Sequence, residues 1–291
     1  MIFKGLGVAV ITPFTKSLDI DFVAFSKIIS NLIENGADYL VLMGTTAESP
    51  TLNKQEKRQL IDAAIEINQA RIPIVVGIGG NNTIEVAADF KTFDFAGVSG
   101  ILSVSPYYNK PSQQGIYNHY KILAEATDVP IIMYNVPGRT SSNMTAETSL
   151  RLAHDFQNIV AVKEASGDLE QIMQIIKNKP TDFMVISGDD LLALPQMAIG
   201  MDGVISVIGN AFPFEFSNML KLASSNINDA RLIHYKLQEL IRLIFEEGNP
   251  VGIKVLLNQM NYCDIHVRPP VYKASDQLIE KIKKELSLFN A

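Results

Sequence analysis

A single cysteine, Cys263, in 291 residues excludes an internal disulfide. It follows a tyrosine near the end of a helical run and reads as a small buried hydrophobe. No apolar stretch approaches the roughly 18–20 residues that a membrane-spanning helix needs. Met1-Ile2-Phe3-Lys4-Gly5 runs straight into a strand-like segment, so no signal peptide is expected and a reducing cytosol is the expected compartment. The net charge of −6 comes with no basic cluster, which argues against nucleic acid as a partner. His119, His154, His234 and His266 are scattered without ligand spacing, so no metal site is expected. No GxGxxG follows the first strand, which removes the usual dinucleotide reading. Low-complexity segments are absent.

What is present is an alternation. Short β-branched runs begin at Gly7, Tyr39, Ile74, Gly100, Ile131, Ile159, Phe183 and Gly203. Helical periodicity fills the gaps over 22–35, 54–68, 84–95, 114–127, 146–153, 169–177, 191–199 and 213–223. Asn53 with Glu56 three residues on is a capping pair, and Pro73 and Pro130 stand just before strands, where a helix cannot continue. Eight strand–helix units predict a closed (β/α)8 TIM barrel over residues 1–225 rather than an open doubly wound sheet. After Ser224 the strand signal stops. Helices over 229–246, 250–261 and 275–288 predict a C-terminal helical extension, residues 226–291, with a structural role.

Lys163 is out of place in the run Ile159-Val160-Ala161-Val162-Lys163-Glu164-Ala165. A lysine in a buried strand must desolvate its ammonium, pair it, or give up the proton, and a neutral amine attacks carbonyls. The bland reading is a strand-end lysine that snorkels to water or pairs with Glu164. In a (β/α)8 barrel the chemistry gathers where strands end, and the unusual residues of this chain fall there. Gly44-Thr45-Thr46-Ala47-Glu48-Ser49 follows strand two and can hold a small carboxylate in a backbone nest, or be a plain turn. Tyr107-Tyr108 follows strand four, and such a pair is more often packing or an interface. Tyr134 ends strand five, one strand from Lys163. Asp189-Asp190 ends strand seven, where helix capping is commoner than metal binding. An amine, a phenol and an anion nest suggest Schiff-base chemistry on a small 2-oxo acid, with the iminium as electron sink and no metal or cofactor needed.

The motifs GTTAES from Gly44, SPYYNKPSQQG from Ser105, YNVPGRT from Tyr134, VKEASGD from Val162 and SGDD from Ser187 resemble, in order, the pyruvate-dependent class I aldolases related to N-acetylneuraminate lyase. The resemblance runs from Gly7 to Asn249-Pro250. It is strongest to the branch that condenses pyruvate with L-aspartate 4-semialdehyde on the way to lysine and diaminopimelate. It implies a barrel with C-terminal helices and a homotetramer built as a dimer of dimers. By this resemblance Lys163 forms the Schiff base and Tyr134 donates and accepts the proton. Thr45 links Tyr134 to Tyr108 of a neighbouring subunit, and Thr46 holds the pyruvate carboxylate through its amide and hydroxyl. Gly188 and the Ile205 carbonyl form the other wall, and Arg139 receives the carboxylate of the second substrate. Ser49, Asn81, Glu85 and Tyr107 match an effector site for free lysine. Lys54 and Lys57 stand there in place of histidine or glutamate, so weak or absent inhibition is expected. Ala47 replaces a family glycine, a silent change unless that position needs a positive φ.

Three rivals remain at this stage. A sister aldolase would cleave N-acetylneuraminate or a 2-keto-3-deoxy sugar acid with the same lysine and tyrosine; Arg139 and Asn249-Pro250 argue for the synthase branch. A metal-dependent barrel enzyme would use Asp189 and Asp190 and be chelator-sensitive. A catalytically silent binding protein is disfavoured by intact Lys163, Tyr134 and Thr45.

Overall fold

The computed structural model describes residues 2–289. Its strands are β1 (Gly5–Ala9), β2 (Tyr39–Leu42), β3 (Ile74–Gly77), β4 (Gly100–Val104), β5 (Ile131–Asn135), β6 (Ile159–Glu164), β7 (Met184–Ser187) and β8 (Gly203–Ser206). They close into a barrel in sequence order, the TIM-barrel fold expected from the alternation. Alternating with the strands are α1 (Phe22–Glu34), α2 (Lys54–Asn68), α3 (Thr83–Thr92), α4 (Gln113–Ala124), α5 (Pro137–Thr140), α6 (Ala146–Asp155), α7 (Leu169–Asn178) and α8 (Ala193–Ala198). After β8 come α9 (Pro213–Leu222), α10 (Ile227–Glu246), α11 (Val251–Gln259) and α12 (Asp276–Phe289). Among the described residues no helix is long and apolar enough to cross a membrane.

Packing divides the chain into two compact units. One is Pro73–Ile205 with the segment ending at Lys4; the other is Gly5–Ile72 with the chain from Ser206 onward. In the first, outward-facing strand residues Ile101, Ile131, Met133, Ile159, Val162 and Val185 pack with Tyr120, Leu123, Ile172 and Ile175 of the covering helices. Burying this apolar surface is the main favourable term of the unit. In the second, α9 lies on β1, and α10 packs against α9, α11 and α12.

Local chemistry sets the element ends. Asn53 and Glu56 form the expected reciprocal capping box at the start of α2. Asp168 accepts from the Gln171 amide to start α7, and β3 and β5 begin immediately after Pro73 and Pro130. Several features differ from the sequence expectation: α3 and α4 end at Thr92 and Ala124 rather than at 95 and 127, and α10 begins at Ile227 rather than 229. Helix α8 starts at Ala193 rather than Leu191, because the Leu191 and Leu192 amides donate to Asp189 Oδ1 in a turn. The single turn α5 was not foreseen in Pro137-Gly138-Arg139-Thr140; proline at the first position pre-sets its φ.

Candidate active site

Strand β6 carries one residue more than its neighbour can match. Ile131 pairs with Ile159 but Ile132 pairs with Ala161, so Val160 is a bulge, and the register continues to Tyr134 opposite Lys163. Without that extra residue Tyr134 would pair with Val162, and Lys163 would turn to the helix-covered face with every other residue. Ile159 and Val162 lie in the outer core, whereas Lys163 and Tyr134 share the opposite, inward face. The bulge therefore aims the lysine. Its amine lies 4.3 Å from the centre of the Tyr134 ring.

Both groups are titrated by burial. Desolvation lowers the Lys163 amine from the usual lysine range to about 8; Asp190 pulls it back up and Arg139 pushes it down. Desolvation raises the Tyr134 phenol to about 12, with Arg139 acting the other way. Arg139 itself is exposed, on α5, and Asp190 is buried. Gly188 follows β7 as a close wall: a Cβ there would come within 3.0 Å of Lys163 Cε and 2.7 Å of the Ala165 Cβ. Only glycine leaves room for the lysine arm. Ile205 is buried in β8.

Glu164 does not serve Lys163. It points outward, fully buried, and accepts from Asn135 Nδ2 at 3.0 and 3.1 Å, Gln171 Nε2 at 3.0 Å and the Ser166 amide at 2.9 Å. Burial pushes its carboxyl up while these donors hold it down. The idea that Lys163 is a strand-end lysine paired with Glu164 is thereby overturned. Successive residues on a strand face opposite ways, so neighbours in sequence cannot meet. Asn135 and Glu164 are directly opposed, one step beyond Tyr134 and Lys163, and tie β5, β6 and α7 behind the two inward side chains.

The hydroxyl loop belongs to the other compact unit. Thr45–Ala47 and Ser49–Thr51 are two 3-10 turns joined by Glu48, whose φ of 53° is left-handed. Thr46 is buried and its Oγ1 accepts from Asn249 Nδ2 at 2.9 Å; within this unit the Thr45 hydroxyl makes no hydrogen bond among the described residues. Glu48 is held by Lys254 Nζ at 2.5 Å and the Arg268 amide at 2.8 Å, a fully buried ion pair that the sequence reading missed. The signal was available, since Lys254 interrupts the apolar run of α11 as Lys163 interrupts β6. Ala47 lies inside the first turn, and positive φ falls on its neighbours Met43 and Glu48 instead. The condition under which alanine would strain this loop is not met.

A profile of the Dihydrodipicolinate synthetase family matches residues 2–288. The chain belongs to this family. The 4-hydroxy-tetrahydrodipicolinate synthase of Parabacteroides distasonis is 52% identical over 284 residues, 97% of this chain and 96% of that one. The synthase of Flavobacterium psychrophilum is 49% identical over 281 residues, 96% of each chain. Among solved structures, dihydrodipicolinate synthase from Thermotoga maritima superposes with a TM-score of 0.97 at 37% identity, covering 100% of this chain and 99% of that one. The chloride-inhibited enzyme of Acinetobacter baumannii, complexed with pyruvate, gives 0.95 at 36% identity, covering 100% and 99%. A synthase from Cyanidioschyzon merolae with lysine bound gives 0.95 at 34%, covering 99% of each.

The remaining sequence candidates of this synthetase-family chain fall on both compact units. Tyr108 is 85% exposed with φ 73°, so its ring stands in solvent. Tyr107 is partly exposed, and its carbonyl accepts from Asn81 at 3.4 Å, which brings two of the effector candidates together. Glu85 lies in the first turn of α3, and Lys54 and Lys57 in the first turn of α2, where carboxylates suit the helix dipole better than ammoniums. Ser49 opens the second 3-10 turn. Asp189 is used as a turn cap, and no group of three or more His, Cys, Asp or Glu poised for a metal occurs among the described residues. Cys263 is buried, its thiol pushed up to about 12 by desolvation, which leaves it protonated and inert at neutral pH.

Proposed function

We propose that the chain condenses pyruvate with L-aspartate 4-semialdehyde through a Schiff base on Lys163, the 4-hydroxy-tetrahydrodipicolinate synthase reaction of lysine and diaminopimelate biosynthesis. One observation carries the reading: a buried amine lowered to about 8, set by a bulge on the same inward face as Tyr134 and 4.3 Å from the centre of its buried ring. The neutral amine adds to the ketone of pyruvate, and loss of water gives the iminium. The iminium drains electrons from the methyl carbon, whose proton leaves toward Tyr134, and the enamine carbon attacks the aldehyde. The aldehyde oxygen takes a proton back, and the amino group of the second substrate displaces Lys163 and closes the ring. In this reading Thr46 holds the pyruvate carboxylate, and Gly188 and the Ile205 carbonyl line the other side. Thr45 relays protons between Tyr134 and the Tyr108 of a second subunit, in a cytoplasmic homotetramer. The 85% exposure of Tyr108 supports that last role. Borohydride reduction in the presence of pyruvate tests the whole scheme: a reduced three-carbon adduct is expected on the peptide containing Lys163, and labelling elsewhere overturns it.

Arg139 selects the second substrate. It is exposed, yet its charge reaches both Lys163 and Tyr134. Arg139→Ala is expected to raise KM for aspartate semialdehyde roughly 10-fold or more, the worth of one charge-assisted pair, while pyruvate trapping at Lys163 survives. Equal loss of trapping would make Arg139 an organiser of the whole pocket.

Free lysine is expected to inhibit weakly or not at all. Ser49, Asn81, Glu85 and Tyr107 are present, but a cationic effector meets Lys54 and Lys57 at the start of α2, and like charges about 4–6 Å apart disfavour binding by on the order of 1 kcal/mol. A coupled assay across a lysine titration decides it; strong inhibition at sub-millimolar lysine contradicts the expectation.

A further inference from the structure

The hydroxyl of Thr46 offers one proton and two lone pairs. Asn249 Nδ2 donates into that oxygen at 2.9 Å, so one lone pair is taken. Thr46 is 2% exposed, and its own proton has no acceptor among the described residues. The Asn249 Oδ1 atom is shielded and also lacks a hydrogen-bond partner among them. Turned the other way, Asn249 would accept the Thr46 proton and leave only lone pairs for any neighbouring group, an arrangement that repels an anion. In the observed orientation the chain of donors runs from Asn249 through Thr46 outward.

This donor is delivered by a rigid support. Asn249 and Pro250 immediately precede α11, and α11 also carries Lys254, which holds Glu48 in the same loop as Thr46. Lys254 Nζ donates in addition to the His266 carbonyl at 2.8 Å and lies 4.3 Å over the Phe14 ring. Thr12 Oγ1 donates to the Ala47 carbonyl at 2.8 Å from the opposite end of the turn. The left-handed Glu48 is thereby fixed, and with it the direction in which Thr46 points.

We propose that Asn249 is a positioning residue for the substrate carboxylate: its amide occupies an acceptor site on Thr46 Oγ1 and reserves the hydroxyl proton for the anion. The proposal rests on the reading that Thr46 binds the carboxylate of pyruvate. The C-terminal helices thus act on the substrate through a single hydrogen bond, a role beyond the structural one expected of them.

The test compares Asn249→Ala, Asn249→Asp, Thr46→Val and the Thr46→Val/Asn249→Ala double variant with the parent enzyme. Steady-state kinetics with both substrates are measured beside borohydride trapping at graded pyruvate. Asn249→Ala is expected to raise KM for pyruvate about 10-fold, the scale of a hydrogen bond that directs a charge-assisted one, with kcat and the aldehyde KM within about three-fold. Asn249→Asp keeps the shape but captures the Thr46 proton and adds negative charge, so its pyruvate KM should rise further. In the Thr46→Val background Asn249→Ala should add nothing, because its route to the substrate is gone. Pyruvate KM within two-fold of the parent in both Asn249 single variants overturns the proposal, as does an Asn249→Ala effect that multiplies on Thr46→Val. Should Asn249→Ala unfold, the isosteric Asn249→Asp carries the decision. If the parent enzyme itself fails to trap pyruvate at Lys163, the Schiff-base reading falls; a trapped parent with unmoved Asn249 variants removes Asn249 alone.

Discussion

Lys163→Ala is expected to lower kcat below about 10⁻⁴ of the parent, the scale on which removal of a covalent nucleophile acts. The reason is specific to this amine. At pH 7 a group titrating at about 8 is neutral in about one molecule in ten, whereas an ordinary lysine is neutral in about one in three thousand. Trapping of pyruvate by borohydride should therefore accelerate about ten-fold per pH unit up to pH 8 and level off above it. A profile still climbing steeply beyond pH 9 would show that the amine is not lowered in solution.

The same burial has an opposite effect on stability. A folded-state pKa below the unfolded value means that the unfolded chain binds more protons between about pH 8 and 10.5, so this group's contribution to stability rises with pH across that window. Below pH 8 the penalty is present in full. Lys163→Met should consequently be more stable than the parent at pH 7, by about 3 kcal/mol at most, and the gap should close toward pH 10.5. Thermal unfolding of the pair at several pH values measures it, and a parent more stable than the variant at pH 7 would refute it. The chemistry is held in place against a local thermodynamic cost.

Which of these features the sequence discloses depends on the range of the interaction that makes them. The strand–helix alternation and the helix spanning Lys54–Asn68 with its capping box are local, and their residues alone predict them. The bulge at Val160 is not local. An uninterrupted β-branched run looks the same with or without an extra residue, and only the pairing with Ile131 and Ile132 reveals the slip. Lysines in apolar runs show the limit most clearly. Lys163 and Lys254 give the same signal, but Lys254 meets Glu48 from 206 positions away and is paired, whereas Lys163 meets a phenol face. The partners of Glu48 and Asn249 escaped notice for the same reason, since they lie about two hundred positions away in the chain. Asp189, expected to cap a helix, instead closes a turn ahead of α8, where it accepts from the Leu191 and Leu192 amides and the helix starts without a side-chain cap.

Tyr134→Phe is expected to reduce kcat by roughly 10²–10⁴, the usual worth of a positioned general acid–base. Burial holds the phenol at about 12, so at neutral pH it is almost entirely protonated and ready to donate. It is a poor base in the resting enzyme, and must act as one only once the iminium has made the methyl carbon acidic. The iminium places a cation, still carrying its own N–H proton, where the Lys163 amine now lies 4.3 Å from the ring. A positive charge there lowers the phenol as Arg139 already does, and only the iminium makes the methyl carbon acidic, so the proton should move after imine formation rather than before it. The variant should therefore still form the imine, and borohydride should still label Lys163 at a rate within a few-fold of the parent. Exchange of pyruvate methyl protons with solvent deuterium should fall in step with kcat. Phenylalanine keeps the ring and removes a hydroxyl, so unfolding temperature should move by a few degrees at most. Retention of parental exchange and turnover in Tyr134→Phe would reduce the tyrosine to a packing surface for the lysine.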